Sequence, residues 1–261
     1  MQRPATLTLL ATVLLAASVT IWLSGWNQSM FLTLNHAGHA LPDALWSNLT
    51  LVADTLFAVA VLLIAASFRP IMFNQALLLL LLGGLLVHGF KQGLDVLRPA
   101  AVLDRDSFYI IGQVLKNHSF PSGHSFTAMS CAALLFLNIP RRTTAWLMLL
   151  IGAAAALSRA MVGAHWPLDI LVGSAAGMLT AVFCVYLTTR FRWLRGHGMK
   201  LFTVFLLTLA SAALIWHEDG YPHTDLLALI AAVSALLTAA VRVWLPLLRM
   251  TFQANSVSGA E

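Results

Sequence analysis

A chain of 261 residues that is 59% hydrophobic and only 10% charged is too apolar for a soluble domain, where about a quarter of residues carry charge. Its formal net charge of +5 would suggest nucleic acid in a soluble protein, but the basic residues are placed in a way that gives another reason for them. Cys131 and Cys184 both lie inside apolar runs. Neither has Cys or His partners at disulfide or metal spacing, so they read as small buried hydrophobes.

Hydropathy marks eight apolar spans, over residues 5–25, 50–68, 71–90, 123–139, 144–163, 166–188, 201–217 and 224–245. A helix needs about 20 apolar residues to cross a bilayer, and most of these runs approach that length. The expected fold is all-α, a polytopic membrane helix bundle with both termini cytoplasmic. A six-helix core would occupy 1–189. Residues 190–261 would add a cytoplasmic loop, two more transmembrane helices and a short tail.

The first span follows Arg3 and has no clean small-residue cleavage site before Trp22, so it reads as a retained helix rather than a signal peptide. Residues 26–49 mix apolar and polar types and fit a short helix lying in the interface. Residues 99–121 form a second long segment, of the kind that is more often functional than spacer. The tail 253–261 reads as disordered. Small residues through 228–240 suit close helix packing, against a partner or, preferably, against the core.

Charge orients the spans. With the N-terminus inside, ten of the 15 basic residues fall on the inner side: Arg3, Arg69, Arg141, Arg142, Arg190, Arg192, Arg195, Lys200, Arg242 and Arg249. This agrees with the positive-inside rule. Lys91, Arg98, Arg105, Lys116 and Arg159 fall outside, together with every acidic residue except Glu261. The stretch RFRWLRGHGMK (190–200) is then an inner loop and not a nucleic-acid patch.

Three polar clusters share the outer side. In KQGLDVLRP (91–99), a helix would set Lys91 and Arg98 two turns apart on one face, with Asp95 between them and Pro99 ending the helix. The plain alternatives are a Lys91–Asp95 ion pair or two snorkelling anchors. In PSGH (121–124), Ser122 suits a helix cap and Gly123 permits close approach to the backbone. A helix start of this kind binds phosphate through its free N–H groups and dipole. His124 otherwise reads as an interfacial histidine without a role, a description that fits His118 better. In SRAMVGAHWPLD (158–169), His165 and Asp169 are one turn apart, with Pro167 in the first turn. A carboxylate there keeps one imidazole nitrogen protonated and leaves the other as an oriented base or nucleophile. Arg159, across a bend at Gly163, is placed to return a bidentate grip to the same phosphate. The bland reading, two helix ends joined by a polar turn, leaves this gathering of interfacial charge unexplained.

Together the clusters resemble the signature of the type 2 phosphatidic acid phosphatase family: K-x6-RP, then PSGH, then SR-x5-H-x3-D. Every fixed position matches, through Lys91, Arg98, Pro99, Pro121, Ser122, Gly123, His124, Ser158, Arg159, His165 and Asp169. The resemblance implies that His165 attacks phosphorus, Asp169 orients it, and His124 protonates the leaving oxygen and then helps activate water. It implies that Lys91, Arg98, Ser122, Gly123 and Arg159 hold the phosphate oxygens. No cofactor or metal is implied, since three cations offset the phosphate charge. The expected partners are a lipid phosphate or diphosphate and the bilayer, with undecaprenyl diphosphate the first candidate and oligomeric state open. The expected location is a bacterial inner membrane with the site facing the periplasm. Transfer of the phosphate to a second lipid such as lipid A, or an inactive lipid-binding scaffold, are the alternatives.

Overall fold

A computed structural model describes residues 3–249; the tail expected at 253–261 lies outside the described residues. Eleven α-helices follow in order among them: α1 (Arg3–Ser24), α2 (Asn27–Gly38), α3 (Asp43–Val52), α4 (Thr55–Phe68), α5 (Ile71–Gly93), α6 (Pro99–Val102), α7 (Gly123–Asn138), α8 (Arg142–Met161), α9 (Pro167–Arg190), α10 (His197–Ala213) and α11 (Asp225–Ala239). No strand occurs among the described residues. Helix α11 passes into a π-helical turn over Ala240–Trp244. Six helices are long and apolar enough to cross a membrane: α1, α5, α8, α9, α10 extended to Trp216, and the α11 segment extended to Arg249.

The other two expected spans look different. The run at 50–68 is broken: α3 and α4 meet at a 61° bend and count as one span only if taken together. The cause is local. Asp54 stands in extended backbone, and its carboxylate accepts a hydrogen bond from the Leu56 amide, so a new helix starts there. The segment 26–49, expected to hold one short helix, therefore holds α2 and most of α3. Helix α7, at 16 residues, falls short of the length a straight span requires.

Helix α7 is nonetheless the centre of the bundle, packed most extensively against α9 and α8, with α1 covering the other flank of α9. Close approach explains its position. A Cβ on Gly173 of α9 would come within 2.5 Å of the Ser122 carbonyl oxygen, and one on Gly177 would collide with that of Phe126. Small residues at this four-residue spacing let backbones meet. Helices α10 and α11 pack on α4, and α10 also on α5.

The connectivity gives the bundle two distinct ends. The C-termini of α5 and α8 and the N-termini of α7 and α9 gather at one end, with the 94–122 segment. The other end carries the 139–141 and 191–196 turns. There Arg3 donates to the carbonyls of Phe136, Ile139 and Pro140 and so caps the C-terminus of α7.

Candidate active site

His165 lies in the turn between α8 and α9 and is only 1% exposed. The turn is shaped by Gly163, whose φ of +78° suits glycine and whose Cβ, if present, would lie 2.5 Å from the Tyr109 carbonyl oxygen. The backbone amides of Ala164 and His165 both donate to the Arg159 carbonyl, at 3.0 and 3.1 Å. Downstream, Pro167 occupies the first turn of α9. Asp169, at the third position of that helix, reaches back to accept the Trp166 amide at 3.1 Å. Helix starts favour this arrangement of proline and carboxylate. The WPLD sequence therefore fixes the carboxylate before any catalytic demand is made on it.

The imidazole sits between two partners. Its Nε2 lies 3.0 Å from Arg98 Nη1, and its Nδ1 lies 3.5 Å from Asp169 Oδ2. Arginine only donates, so Nε2 is the accepting nitrogen and Nδ1 carries the proton that faces the carboxylate. This is the tautomer a nucleophilic Nε2 requires. Burial pushes the His165 pKa well below the usual histidine value, and the positive charges of Arg98, Arg159 and Lys91 act in the same direction. The ring is neutral at pH 7.

Arg98 is 7% exposed and heavily tied. Its Nε donates to the Asn117 carbonyl at 2.8 Å, and Nη1 also donates to that of Ala164 at 3.0 Å. Its backbone amide donates to the Lys116 carbonyl, while the Ser119 amide donates to that of Val96, both at 2.8 Å. The Trp166 indole adds a 2.8 Å bond to the Leu97 carbonyl. Burial, then the Arg159 charge, brings the Arg98 pKa down to about 10, so the guanidinium stays charged at neutral pH.

These bonds overturn one expectation. Lys91 and Arg98 do not share a helix face, because α5 ends at Gly93 and Arg98 stands in extended backbone. Pairing of 96–98 with 116–119 wins over helix continuation. Pro99 begins α6 rather than ending α5. Asp95 is exposed and 3.5 Å from His118 Nδ1, not paired with Lys91. His118, expected to be idle, helps to hold the site together. Its Nδ1 is 3.1 Å from the Lys91 carbonyl, and its own carbonyl accepts from Arg98 Nη2 at 3.4 Å.

Arg159 is the largest of the fully buried side chains, at 1% exposure. Its Nε and Nη1 are buried and have no hydrogen-bond partner in the protein. Buried guanidinium donors are costly to leave unmatched, so these two are open to an acceptor from outside the chain. Lys91, in the last turn of α5, approaches Gly123, since a Cβ there would be 3.7 Å from its Nζ. Ser122 caps α7, its hydroxyl oxygen accepting from the Ser125 amide at 3.2 Å and hydroxyl at 2.8 Å. Its own amide donates to the Asp169 carbonyl at 3.1 Å. Both of these Ser122 groups are therefore already engaged within the protein. Gly123 and His124 supply first-turn amides that have no acceptor within the helix. Ser158 is turned away, bonded to the Thr50 hydroxyl at 2.9 Å and the Ala155 carbonyl at 2.7 Å.

A cavity of about 280 Å³ runs between α4, α5 and α7, with Lys91, Gly123 and His124 among its polar lining and Val59, Leu62 and Leu79 among its apolar lining. Among the described residues, no group of three or more His, Cys, Asp or Glu is placed to hold a metal ion. Both cysteines are buried and free.

Three residues that frame the site carried no signal of their own in the sequence. Ser119, fully buried, donates its hydroxyl to Asp169 Oδ2 and lies 3.5 Å from His165 Nδ1. Asn27 Oδ1 accepts the Leu168 amide at 3.0 Å, completing the start of α9. Asn35, fully buried, donates to the carbonyls of Tyr109, Ala160 and Met161 and accepts the Tyr109 amide, clamping the 108–111 segment to the end of α8.

Several known proteins are similar to this chain. It is 39% identical over 67 residues to the bacitracin transport permease protein BcrC of Bacillus licheniformis, covering 26% of this chain and 32% of that protein. It is 35% identical over 105 residues to a lipid A 1-phosphatase of Rhizobium etli, covering 38% and 44%. It is 34% identical over 70 residues to an undecaprenyl-diphosphatase of Sulfolobus acidocaldarius, covering 26% and 33%. The chain thus spans less than half the length of these relatives. The crystal structure of Aquifex aeolicus LpxE shares the fold, with a TM-score of 0.55 and 23% identity over 61% of this chain and 94% of that one. The family model described as the PAP2 superfamily matches residues 72–193, the stretch that holds Lys91, Arg98, Ser122, Gly123, His124, Arg159, His165 and Asp169.

Proposed function

We propose that this chain is an integral membrane phosphatase that removes phosphate from a lipid phosphate or diphosphate through a phosphohistidine on His165. One observation carries the reading: a neutral, oriented imidazole beside a buried arginine, Arg159, whose Nε and Nη1 have no partner in the protein. The apolar cavity that reaches Lys91 and His124 suits a substrate whose phosphate is held at the site while its chain stays among helices.

In the first step, Nε2 of His165 attacks phosphorus and the bond to the lipid oxygen breaks. His124, entering this step as an imidazolium with the phosphate dianion beside it, gives that oxygen its proton and becomes neutral. When phosphate enters, the Arg98 N–H that faces Nε2 turns to a phosphate oxygen and frees the lone pair. In the second step, water attacks phosphorus, His124 takes its proton, and the P–N bond breaks to release inorganic phosphate. Lys91, Arg98 and Arg159 offset charge in both steps, so that positioning and electrostatics carry the chemistry. The Nδ1 proton remains on His165, held by Asp169.

Undecaprenyl diphosphate is the first substrate to test, supported by the relative named for that activity. Lipid A phosphate is the second reading, supported by the longer stretch matched in the lipid A 1-phosphatase. The site would face the periplasm of a bacterial inner membrane, with eight spans and both termini inside.

The test is phosphate release by purified protein, with chelator present, from these two lipids, phosphatidic acid and phosphatidylglycerophosphate. Wild type should release phosphate from at least one. His165→Ala should fall by about 10⁵-fold or to background, as removal of a nucleophile does elsewhere. Full turnover by that variant refutes the assignment. Label appearing on a second lipid instead of in free phosphate would make the protein a phosphotransferase.

A further inference from the structure

The family match ends at residue 193, yet the connection between α10 and α11 returns to the site. Tyr221 in that connection places its ring 5.3 Å from Cζ of Arg159. The contact is built rather than incidental. Tyr221 packs against the small cluster of Ile111, Val162 and Ala164, two of which border the Arg159–His165 turn. Gly112 makes room for it: a Cβ there would lie 2.5 Å from the Gly220 carbonyl oxygen and 2.7 Å from Tyr221 Cδ1. The loop is also pinned to the core, by Asn48 Nδ2 donating to the His223 carbonyl at 3.0 Å and by His217 Nε2 at 3.4 Å from Asp54 Oδ2.

A guanidinium stacked on an aromatic ring uses its face and keeps its in-plane N–H donors available. Arg159 has this division of labour, with Tyr221 beside the guanidinium and Nε and Nη1 unpaired. A long side chain without such support loses its single orientation, and a phosphate site depends on orientation.

We infer that Tyr221 is a positioning residue for Arg159, so that the C-terminal helix pair is a working part of the phosphate site rather than an appendage. The inference rests on Arg159 as a phosphate ligand, the role given to it above.

The experiment uses full-length protein in detergent and orthovanadate as the probe. Vanadate binding is measured by calorimetry, with lipid phosphate turnover measured alongside. Tyr221→Leu should weaken vanadate binding about ten-fold, in the range of a desolvated cation–π contact, and lower kcat/KM similarly. Tyr221→Phe, which keeps the ring, should stay within about two-fold of wild type. Tyr221→Met, which fills the apolar contact without a π face, should behave as Tyr221→Leu and replaces it if that variant does not fold. In an Arg159→Gln background the Tyr221 change should have no further effect, because the double-mutant cycle isolates the pair.

Wild-type vanadate affinity in Tyr221→Leu or Tyr221→Met overturns the inference, and so does an equal loss in both backgrounds, which would mean packing alone. A loss in Tyr221→Phe as large as in Tyr221→Leu overturns it as well, by making the hydroxyl a direct ligand. Wild type that binds vanadate but hydrolyses no lipid refutes the proposed function while the vanadate series still decides the role of Tyr221. Wild type that binds no vanadate sinks both.

Discussion

The two ends of the bundle use the same residue type in opposite ways. At the end where the 191–196 turn lies, Arg190, Arg192 and Arg195 are exposed, and among the described residues no carboxylate lies in the turns there. At the other end Arg98 and Arg159 are buried beside His165 and Asp169. Exposed arginines cost little and set orientation in a membrane. Buried ones are expensive, and the structure keeps them only with many carbonyl partners, as for Arg98, or with donors unpaired and an aromatic face alongside, as for Arg159. The contrast teaches that the same side chain is cheap where it is exposed and needs partners or a face where it is buried.

The sharpest way to test the buried end is at the His165–Asp169 pair. Asp169→Asn keeps the volume but offers an amide to Nδ1, so the wrong tautomer becomes available; kcat should fall by about 10³-fold or more, by analogy with triads that lose their orienting carboxylate. Steady-state kinetics on the lipid identified above reads this, and a change under about ten-fold would mean that Arg98 alone orients the ring.

The comparison itself is broken or upheld by a pair of arginine variants. Arg159→Ala should lower kcat/KM by about 10²- to 10³-fold, as loss of an oxyanion donor does. Arg195→Ala, at the exposed end, should change it by less than about two-fold. Equal effects in the two would dissolve the distinction between the ends.

A smaller effect is expected at Ser119. Ser119→Ala removes one hydrogen bond to the Asp169 carboxylate, worth about 1.5 kcal/mol or slightly more for a charged acceptor, so kcat should drop about ten-fold with little change in KM. An unchanged kcat would show that the Trp166 amide holds the carboxylate unaided.

The pH profile of kcat/KM gives the finest test. His165 must be neutral to attack, and its pKa is depressed, so protonation of this group should cut activity only well below pH 6.5. An acid limb of kcat/KM that titrates at or above pH 6.5 would count against the buried, cation-surrounded ring.

Much of the candidate site's local geometry was legible because its residues lie in short, fixed spacings. His165, Pro167 and Asp169 are joined by one helix start, whose geometry is local. Ser122 as a cap was legible for the same reason. The placement of Arg98 was not, since α5 ends at Gly93 only because 96–98 pairs with 116–119, a contact that no helical periodicity reports. The break at Asp54 hid in the same way, inside an apolar run that hydropathy reads as continuous.

Composition and spacing were thus sufficient for an all-helical membrane chain, the basic polarity of its ends and the motif residues, because hydropathy and helix starts are properties of neighbouring residues. The roles of Ser119, Asn35, His118 and Tyr221 belong to tertiary structure alone. Each acts through hydrogen bonds or a ring contact to residues distant in the chain, for example Asn35 to Tyr109 and Ala160 or Tyr221 to Arg159. Such bonds form only once packing has brought the partners within reach, and a polar side chain carries no local mark of the partner it will meet.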